Sequence, residues 1–92
     1  MKFFIHDIEV STKDHQNICL DRVILNADNC NSYCVVAITE AFKHASRILG
    51  REFDAESIQN NIPGFADYVL HWCQARSMLV GDISITVQRS VV

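Results

Sequence analysis

Residues 34–50 read CVVAITEAFKHASRILG, and their apolar side chains recur at intervals of three and four positions. This spacing predicts one amphipathic α-helix, because residues three and four apart lie on the same helical face. The expected buried face contains Cys34, Val35, Ile38, Ala41, Phe42, Ala45, Ile48 and Leu49. Gly50 follows directly and predicts the end of the helix.

Two strands are predicted before this helix. Residues 3–10 and 18–27 are the strands, and the polar residues 11–17 between them predict the turn of a hairpin. In the first strand, the alternation places Phe4, Ile8 and Val10 on the side of the core. In the second, one face carries Cys19, Val23, Leu25 and Ala27, and the other carries Ile18, Leu20 and Ile24 together with Arg22 and Asn26.

The chain after Gly50 predicts a short helix, a longer helix and a strand. Asp54 has the side chain expected of an N-cap for the short helix, which Pro63 interrupts. Pro63 then opens the longer helix, which extends to about Leu79. Its stripe contains Phe65, Val69, Trp72, Cys73, Arg76 and Val80. Strict alternation over 82–88 predicts a strand that is buried on one face.

These elements predict an α+β protein. Each strand has one apolar face and each long helix one apolar stripe, so the simplest packing is a two-layer sandwich. A three-stranded antiparallel or mixed sheet then packs against two main helices and one short helix, in a single domain over residues 1–92. The pattern leaves open whether the last strand pairs with the first or with the second.

The composition is typical of an ordered globular protein. Hydrophobic residues make up 49% of the chain and charged residues 21%, with one proline and three glycines, which is unlike a disordered tail. A net charge of -3 argues against non-specific binding to nucleic acid. The N-terminal residues do not have the length or pattern of a signal peptide or a membrane span, so we expect a cytosolic protein with reduced cysteines.

The cysteines and histidines do not form a recognisable catalytic or metal-binding motif. Cys30, Cys34, His71 and Cys73 are ligand types for zinc. However, residues 71 and 73 are about 200° apart on a helix and cannot easily face one ion. Cys34 near a helix N-terminus has the position of an activated nucleophile, but no histidine partner is identifiable. We expect both thiols on the apolar stripes, Cys34 and Cys73, to be packing residues.

The carboxylates of the hairpin have two interpretations. Asp7, Glu9, Asp14 and Asp21 are residue types that serve in general acid/base catalysis or bind a divalent cation. Charged side chains are also expected on the solvent-exposed face of an ordinary strand, where they discourage aggregation at a sheet edge. We favour the second interpretation. The sequence therefore predicts a protein without catalytic residues, metal or cofactor.

The strongest local cluster of charge is basic. The cluster lies on the polar side of the long helix and directly after its end, and it contains Lys43, His44, Arg47 and Arg51. Such a cluster can bind a phosphate backbone or an acidic groove of a protein. Glu40 lies on the same face and is expected to pair with Lys43 or His44, which weakens the patch. An ordinary solvated face is the alternative. Gln88 belongs to a neutral polar strip of the last strand, which Arg89 prolongs, and this strip suits the addition of a partner strand or docking on another protein. An ordinary solvated sheet face is the favoured interpretation. Arg89 is also a candidate to extend the basic patch, depending on the strand order.

In chain length, mild acidity and strand-strand-helix-helix-strand layout, the whole chain is similar to small phage-encoded anti-CRISPR proteins that block the type I-F surveillance complex. The resemblance implies a non-enzymatic inhibitor in the bacterial cytosol, which docks on Cas proteins loaded with crRNA and blocks target DNA binding. The four basic residues of the helix are then the first expected to contact Cas subunits or RNA. The alternatives are a small nucleic-acid-binding or regulatory module, dimeric through its sheet edge, and an enzyme using cysteine or carboxylates.

Overall fold

The computed structural model describes residues 2–27, 32–76 and 83–88. Its elements are β1 (Lys2–Ser11), β2 (Asn17–Ala27), α1 (Ser32–Gly50), α2 (Ala55–Asn60), α3 (Ile62–Ala75) and β3 (Ile83–Gln88). The α+β class is confirmed, and the described strands form an antiparallel sheet in the order β1-β2-β3. The last strand therefore pairs with the second strand, which the sequence had left open.

The helices lie on one face of the sheet. α1 packs against β1, α2 against β2 and α3 against β3, and α1 and α3 also pack against each other. The largest fully buried side chains come from both layers and include Phe42, Ile5, Ile8, Leu20, Leu25 and Leu49. This is the predicted two-layer arrangement, in which the apolar stripes of the helices cover the apolar face of the strands.

In both strands of the hairpin, the set of alternate residues that points toward the core changes at the same position along the paired strands. The buried residues of β1 are Phe3 and Ile5, then Ile8 and Val10. Those of β2 are Ile18 and Leu20, then Val23, Leu25 and Ala27. Asp7 has a backbone φ of 58°, and the pairing of the strands continues at the same offset beyond it. The interruption of the extended backbone at Asp7 therefore marks the position where the core-facing side chains change from one set of alternate residues to the other.

This switch corrects the predicted faces of the hairpin. Phe4 is 47% exposed and Ile5 is buried, which is the reverse of the prediction for the first half of β1. In β2, Cys19 is exposed while Ile18 and Leu20 are buried. The prediction was wrong because an unbroken two-residue period assigns every second residue to one face, and the left-handed residue breaks that period.

α1 has the predicted amphipathic character, with two exceptions. Ser46 is buried, and its hydroxyl donates to the Phe42 carbonyl oxygen at 2.8 Å, so that the helix backbone satisfies it. Ile48 is 43% exposed instead of buried. Gly50 belongs to the helix and touches β1, because a Cβ added there would lie 2.1 Å from Val10 Cγ1. The glycine thus allows the end of α1 to approach the strand closely.

The two remaining helices begin with side-chain caps. The Asp54 carboxylate accepts a hydrogen bond from the Ser57 N–H at 2.8 Å, which confirms the predicted cap of α2. Asn61 accepts one from the Gly64 N–H at 3.1 Å, and Pro63 lies in the first turn of α3. α3 ends at Ala75, short of the predicted end, and residues 77–82 lie outside the described part of the chain.

β3 shows the predicted alternation. Ile83, Ile85 and Val87 are half-buried and pack against the core, whereas Ser84 and Thr86 are exposed. None of the helices that the structure describes has the length and apolar content needed to span a bilayer.

Candidate functional site

The structure divides the predicted basic cluster of α1 between two depressions of the surface. Lys43 and Arg47 line one of them with residues of β1, and Arg51 lines the other with residues of the hairpin turn. His44 is exposed and lines neither depression. The patch that the sequence suggested as one surface is therefore two neighbouring surfaces with different chemistry.

The depression that Arg51 lines, which we call the basic depression, has a volume of about 480 Å³. It is lined by Ser11, Thr12, Lys13, His15 and Arg51. Lys13, His15 and Arg51 are exposed, and they come from two separate parts of the chain. Three side chains that carry positive charge, with histidine included when it is protonated, thus converge on one concave site.

Backbone hydrogen bonds define the shape of the turn that presents Lys13 and His15. The Thr12 N–H donates to the Gln16 carbonyl at 2.9 Å, and the His15 N–H donates to the Thr12 carbonyl at 3.1 Å. His15 has a φ of 60°, which is the left-handed residue that closes a common three-residue hairpin loop. Thr12 is only 2% exposed, and its hydroxyl bonds with Asp14 and with Gln16. The turn is accordingly held in one conformation by its own groups.

The same turn is tied to the helical layer. The Lys13 N–H donates to the Phe53 carbonyl at 2.9 Å. The Ala55 N–H, at the start of α2, donates to the Asp14 carboxylate at 3.2 Å. Together with the close contact of Gly50 against β1, these bonds bring Arg51 next to the turn.

The carboxylates nearest to the basic depression are already engaged by hydrogen bonds. Asp14 accepts from Ala55 and Thr12, and Asp54 caps α2. Hydrogen bonds from Ser57, first its side chain and then its backbone, lower the pKa of Asp54, and Lys13 adds a smaller effect in the same direction. Among the described residues, neither Lys13 nor Arg51 forms an ion pair. Asp54 keeps its negative charge and attracts Lys13. Because no ion pair holds Lys13 or Arg51 among the described residues, both cations can still contact an external anion.

The second surface, the mixed-charge depression, is smaller, at about 220 Å³. Asp7, Ile8 and Glu9 of β1 line it together with Lys43 and Arg47 of α1. Glu40, which the sequence offered as a partner of Lys43 and His44, makes no ion pair in the described part of the structure. The acidic residues next to the patch come instead from β1, which was not predictable before α1 was placed on that strand.

The structure places Gln88 away from these surfaces. Gln88 is the last residue of β3, on the edge of the sheet opposite to β1 and α1. Its side chain and the whole of Arg89 lie outside the described part of the structure. β2 separates the strand of Gln88 from β1, so the partner contact predicted for Gln88 concerns a separate edge of the sheet.

Sequence reasoning missed Lys13 and His15 as members of the candidate site. They were assigned to a polar turn, which was correct, but the turn was not linked to the end of α1. The one local signal was Gly50 directly before Arg51, since a glycine permits close approach of two backbones. That signal does not specify which strand approaches, so the partner of Arg51 depends on the tertiary structure.

The other groups considered from the sequence lie apart. Among residues 2–27, 32–76 and 83–88, no three side chains of histidine, cysteine or acidic type are arranged to hold a metal, and Cys30 falls outside those ranges. Cys73 is buried in the core, and burial raises the pKa of its thiol, which disfavours the reactive thiolate. Cys34 is half-buried in the first turn of α1.

Comparison with protein-family models, with curated proteins and with solved structures finds no match to this chain. The functional argument therefore depends on the geometry and the charges of the chain itself.

Proposed function

We propose that this protein is a non-enzymatic binding protein that docks on an anionic surface of a macromolecular partner. The observation that supports this function is the basic depression, where Lys13 and His15 of the turn meet Arg51 at the end of α1. Arg47 lies one helical turn before Arg51 and is also exposed, so it adds a further cation beside the site, although Asp7 and Glu9 line the same depression as Arg47.

The charge distribution favours a specific partner over general attraction. The protein as a whole carries a net charge of -3, so most of its surface repels an anionic macromolecule. A local positive site on such a background orients the encounter, because only one face is attracted. The partner surface expected from this arrangement is rich in phosphate or carboxylate groups.

The most specific form of this proposal is an inhibitor of a CRISPR surveillance complex. The layout, length and mild acidity that resemble phage-encoded inhibitors of the type I-F class support it. In this form, the protein acts in the bacterial cytosol, docks on Cas proteins loaded with crRNA and blocks the binding of target DNA. The crRNA phosphates are one source of the negative charge that the basic residues require.

The test is capture of a purified type I-F surveillance complex by the tagged protein, followed by a target-DNA binding assay with the captured complex. The binding variant is Arg47→Glu with Arg51→Glu, and the matched control is Lys2→Glu with Arg76→Glu. Both changes alter the net charge equally, and all four side chains are exposed. We expect the binding variant to reduce the affinity at least about tenfold, because reversal places like charges together at the interface.

Two outcomes would contradict the proposal. Equal weakening by the two variants would show that the total charge matters and the face of α1 does not. Failure of the wild-type protein to capture the complex, in a lysate as well as with purified components, would exclude the inhibitor function. Circular dichroism of each variant separates loss of binding from loss of folding.

A further inference from the structure

We propose that the basic depression binds the phosphodiester backbone of a single-stranded nucleic acid, with His15 stacking on a base. This inference rests on the proposed function, since it names the chemistry of the anionic partner at the same site. It adds Lys13 and His15, which lie outside α1, to the residues that make the contact.

The cations fit a phosphodiester group. The Arg51 guanidinium presents several donors in a plane and can bond two phosphate oxygens at once, whereas the Lys13 ammonium acts as a compact point charge. Both side chains are exposed and without an ion-pair partner among the described residues, so binding an anion breaks no existing pair. The nearby carboxylates of Asp14 and Asp54 keep their hydrogen bonds to Ala55 and Ser57.

The size of the depression favours more than a bare phosphate. Its volume of about 480 Å³ leaves room for the sugar and the base beside the phosphate. The imidazole of His15 is exposed at its wall and offers a flat surface. Bases of single strands stack on such side chains, whereas the bases of a duplex are already stacked on each other.

The backbone of His15 supplies an independent reason to assign it a role. Its φ of 60° is adopted by glycine without strain, whereas a side chain makes this conformation less favourable. Glycine at this position would satisfy the hairpin loop better. The turn does not require an imidazole at this position, although histidine adopts a positive φ more often than most residues, and the side chain lies beside the cations of Lys13 and Arg51.

The surroundings favour a single strand over a duplex. Asp7 and Glu9 line the adjacent mixed-charge depression, and Glu52 is exposed directly after Arg51. These carboxylates would repel the second strand of a duplex, which presents phosphates over a wide surface. A flexible single strand can place one or two phosphates in the depression and then turn away from the acidic residues.

The experiment measures fluorescence anisotropy with an oligouridylate and an oligothymidylate of about twelve nucleotides, starting at about 20 mM KCl. A duplex of the same length and inorganic phosphate as a competitor complete the set of ligands. We expect both single strands to bind, with log K falling against log salt with a slope of about -0.7 to -1.4, as for one or two phosphate contacts. The duplex should bind at least about tenfold more weakly.

The variants assign this binding to the depression. Lys13→Glu and Arg51→Glu should each weaken it about tenfold and reduce the salt slope. His15→Gly should weaken binding several-fold through the loss of stacking, while the protein remains folded and at least as stable. Lys2→Glu and His71→Ala are the controls for charge and for histidine, because both residues are exposed and lie outside the depression. They should bind as the wild type does.

The outcomes separate this inference from the proposed function. The absence of a salt-dependent signal with either single strand, or equal binding of the duplex, overturns the inference. So does equal weakening by Lys2→Glu and Arg51→Glu. If these results accompany normal capture of the surveillance complex, the inference fails and the proposed function stands. If the strands bind through Lys13 and Arg51 but no complex is captured, the inference stands and the inhibitor form of the proposed function fails.

Preference between the two single strands identifies the source of the phosphodiester. Tighter binding of the oligouridylate supports an RNA ligand that is recognised through its 2′-hydroxyl groups. Equal affinities support recognition of the shared backbone and bases. Competition by millimolar inorganic phosphate is expected to be partial, because the free ion reaches the cations but does not stack on His15.

Discussion

The basic depression and the mixed-charge depression receive cations from α1 and from Arg51 directly after it, yet they differ in net charge. Arg51 meets Lys13 and His15, whereas Lys43 and Arg47 meet Asp7 and Glu9. The difference comes entirely from β1 and its turn, because the helix supplies basic residues to both. An amphipathic helix therefore does not define a binding surface until the strand beside it is known.

Each depression also contains one residue with a left-handed backbone. His15, with φ of 60°, closes a hairpin loop that needs this conformation. Asp7, with φ of 58°, lies within a strand, where no turn requires it. Its conformation instead allows Ile5 and Ile8 both to reach the core. The same local conformation thus serves surface geometry in one depression and core packing in the other.

We expect the largest effect on stability from a substitution of Gly50, whose contact with β1 lies between the two depressions. Gly50→Ala places a methyl group 2.1 Å from Val10 Cγ1 and 3.1 Å from the Ser11 carbonyl, so α1 must move away from β1. We expect a loss of about 1–3 kcal/mol in the free energy of unfolding, measured by urea denaturation. Oligonucleotide binding should fall as well, since Arg51 follows directly.

The control for this variant is Ala37→Leu, which adds apolar volume at an exposed position of α1. Its effect should stay within about 0.5 kcal/mol. Equal stability of Gly50→Ala and the wild type would show that the end of α1 is not pressed against β1, and it would remove the structural reason for placing Arg51 beside the turn.

The next effect separates the two left-handed residues. Asp7→Gly and His15→Gly should each raise the free energy of unfolding by about 0.5–1 kcal/mol, because relief of the strain exceeds the entropy that glycine adds to the unfolded chain. Only His15→Gly should weaken oligonucleotide binding. Thermal denaturation and fluorescence anisotropy measure the two quantities on the same samples.

Thr86→Gly is the matched control, since Thr86 lies exposed within β3. In ordinary strand conformation, glycine should lower the stability by about 0.5–1 kcal/mol. A loss of stability in Asp7→Gly comparable to that control would mean that the Asp7 side chain, and not its backbone, determines the switch of inward faces.

The smallest effect is a pH dependence at the edge of the basic depression. The pKa of Asp54 is lower in the folded chain than its ordinary value of 3.8, first because of its hydrogen bonds with Ser57. The stabilisation is therefore complete above that value and is lost as the pH falls through the lower, folded pKa. Below pH 3.8, the wild type should lose stability more steeply than Asp54→Asn, whose amide still caps α2 without titrating.

Denaturation over a series of acidic buffers measures this difference, and Glu40→Gln, at an exposed position of α1, is the control. A curve for Asp54→Asn that runs parallel to the wild type would show that the cap does not contribute to the acid sensitivity. A smaller slope in Lys13→Ala is expected, since Lys13 also lowers the pKa of Asp54.

Much of the secondary structure could be predicted because its causes are local. The three- and four-residue spacing of α1, the cap at Asp54 and the alternation of β3 each depend on side chains a few positions apart. The inward faces of the hairpin could not be predicted in the same way. Their switch requires a left-handed Asp7 and a matching change in β2, which only the paired strands together stabilise.

The candidate site, like the fold, could be predicted only in part from the sequence. Arg47 and Arg51 were predicted to lie on one exposed stretch, and both are exposed. Lys13 and His15 were not predicted to join them, because the sequence does not show which turn lies beside the end of α1. Neighbours along the chain are fixed by helix geometry, whereas neighbours across the chain depend on strand order and on where a helix rests.

The sequence by itself determined which segments form helices and strands and the α+β class, because hydrophobic periodicity and capping act over a few residues. Only the tertiary structure decided which charges share a surface, since the contact of Gly50 with β1 and the bonds from the turn to Phe53 and Ala55 join segments that are distant in the chain. The physical reason is that charges act through space, and the distance between two side chains of different segments is set by packing.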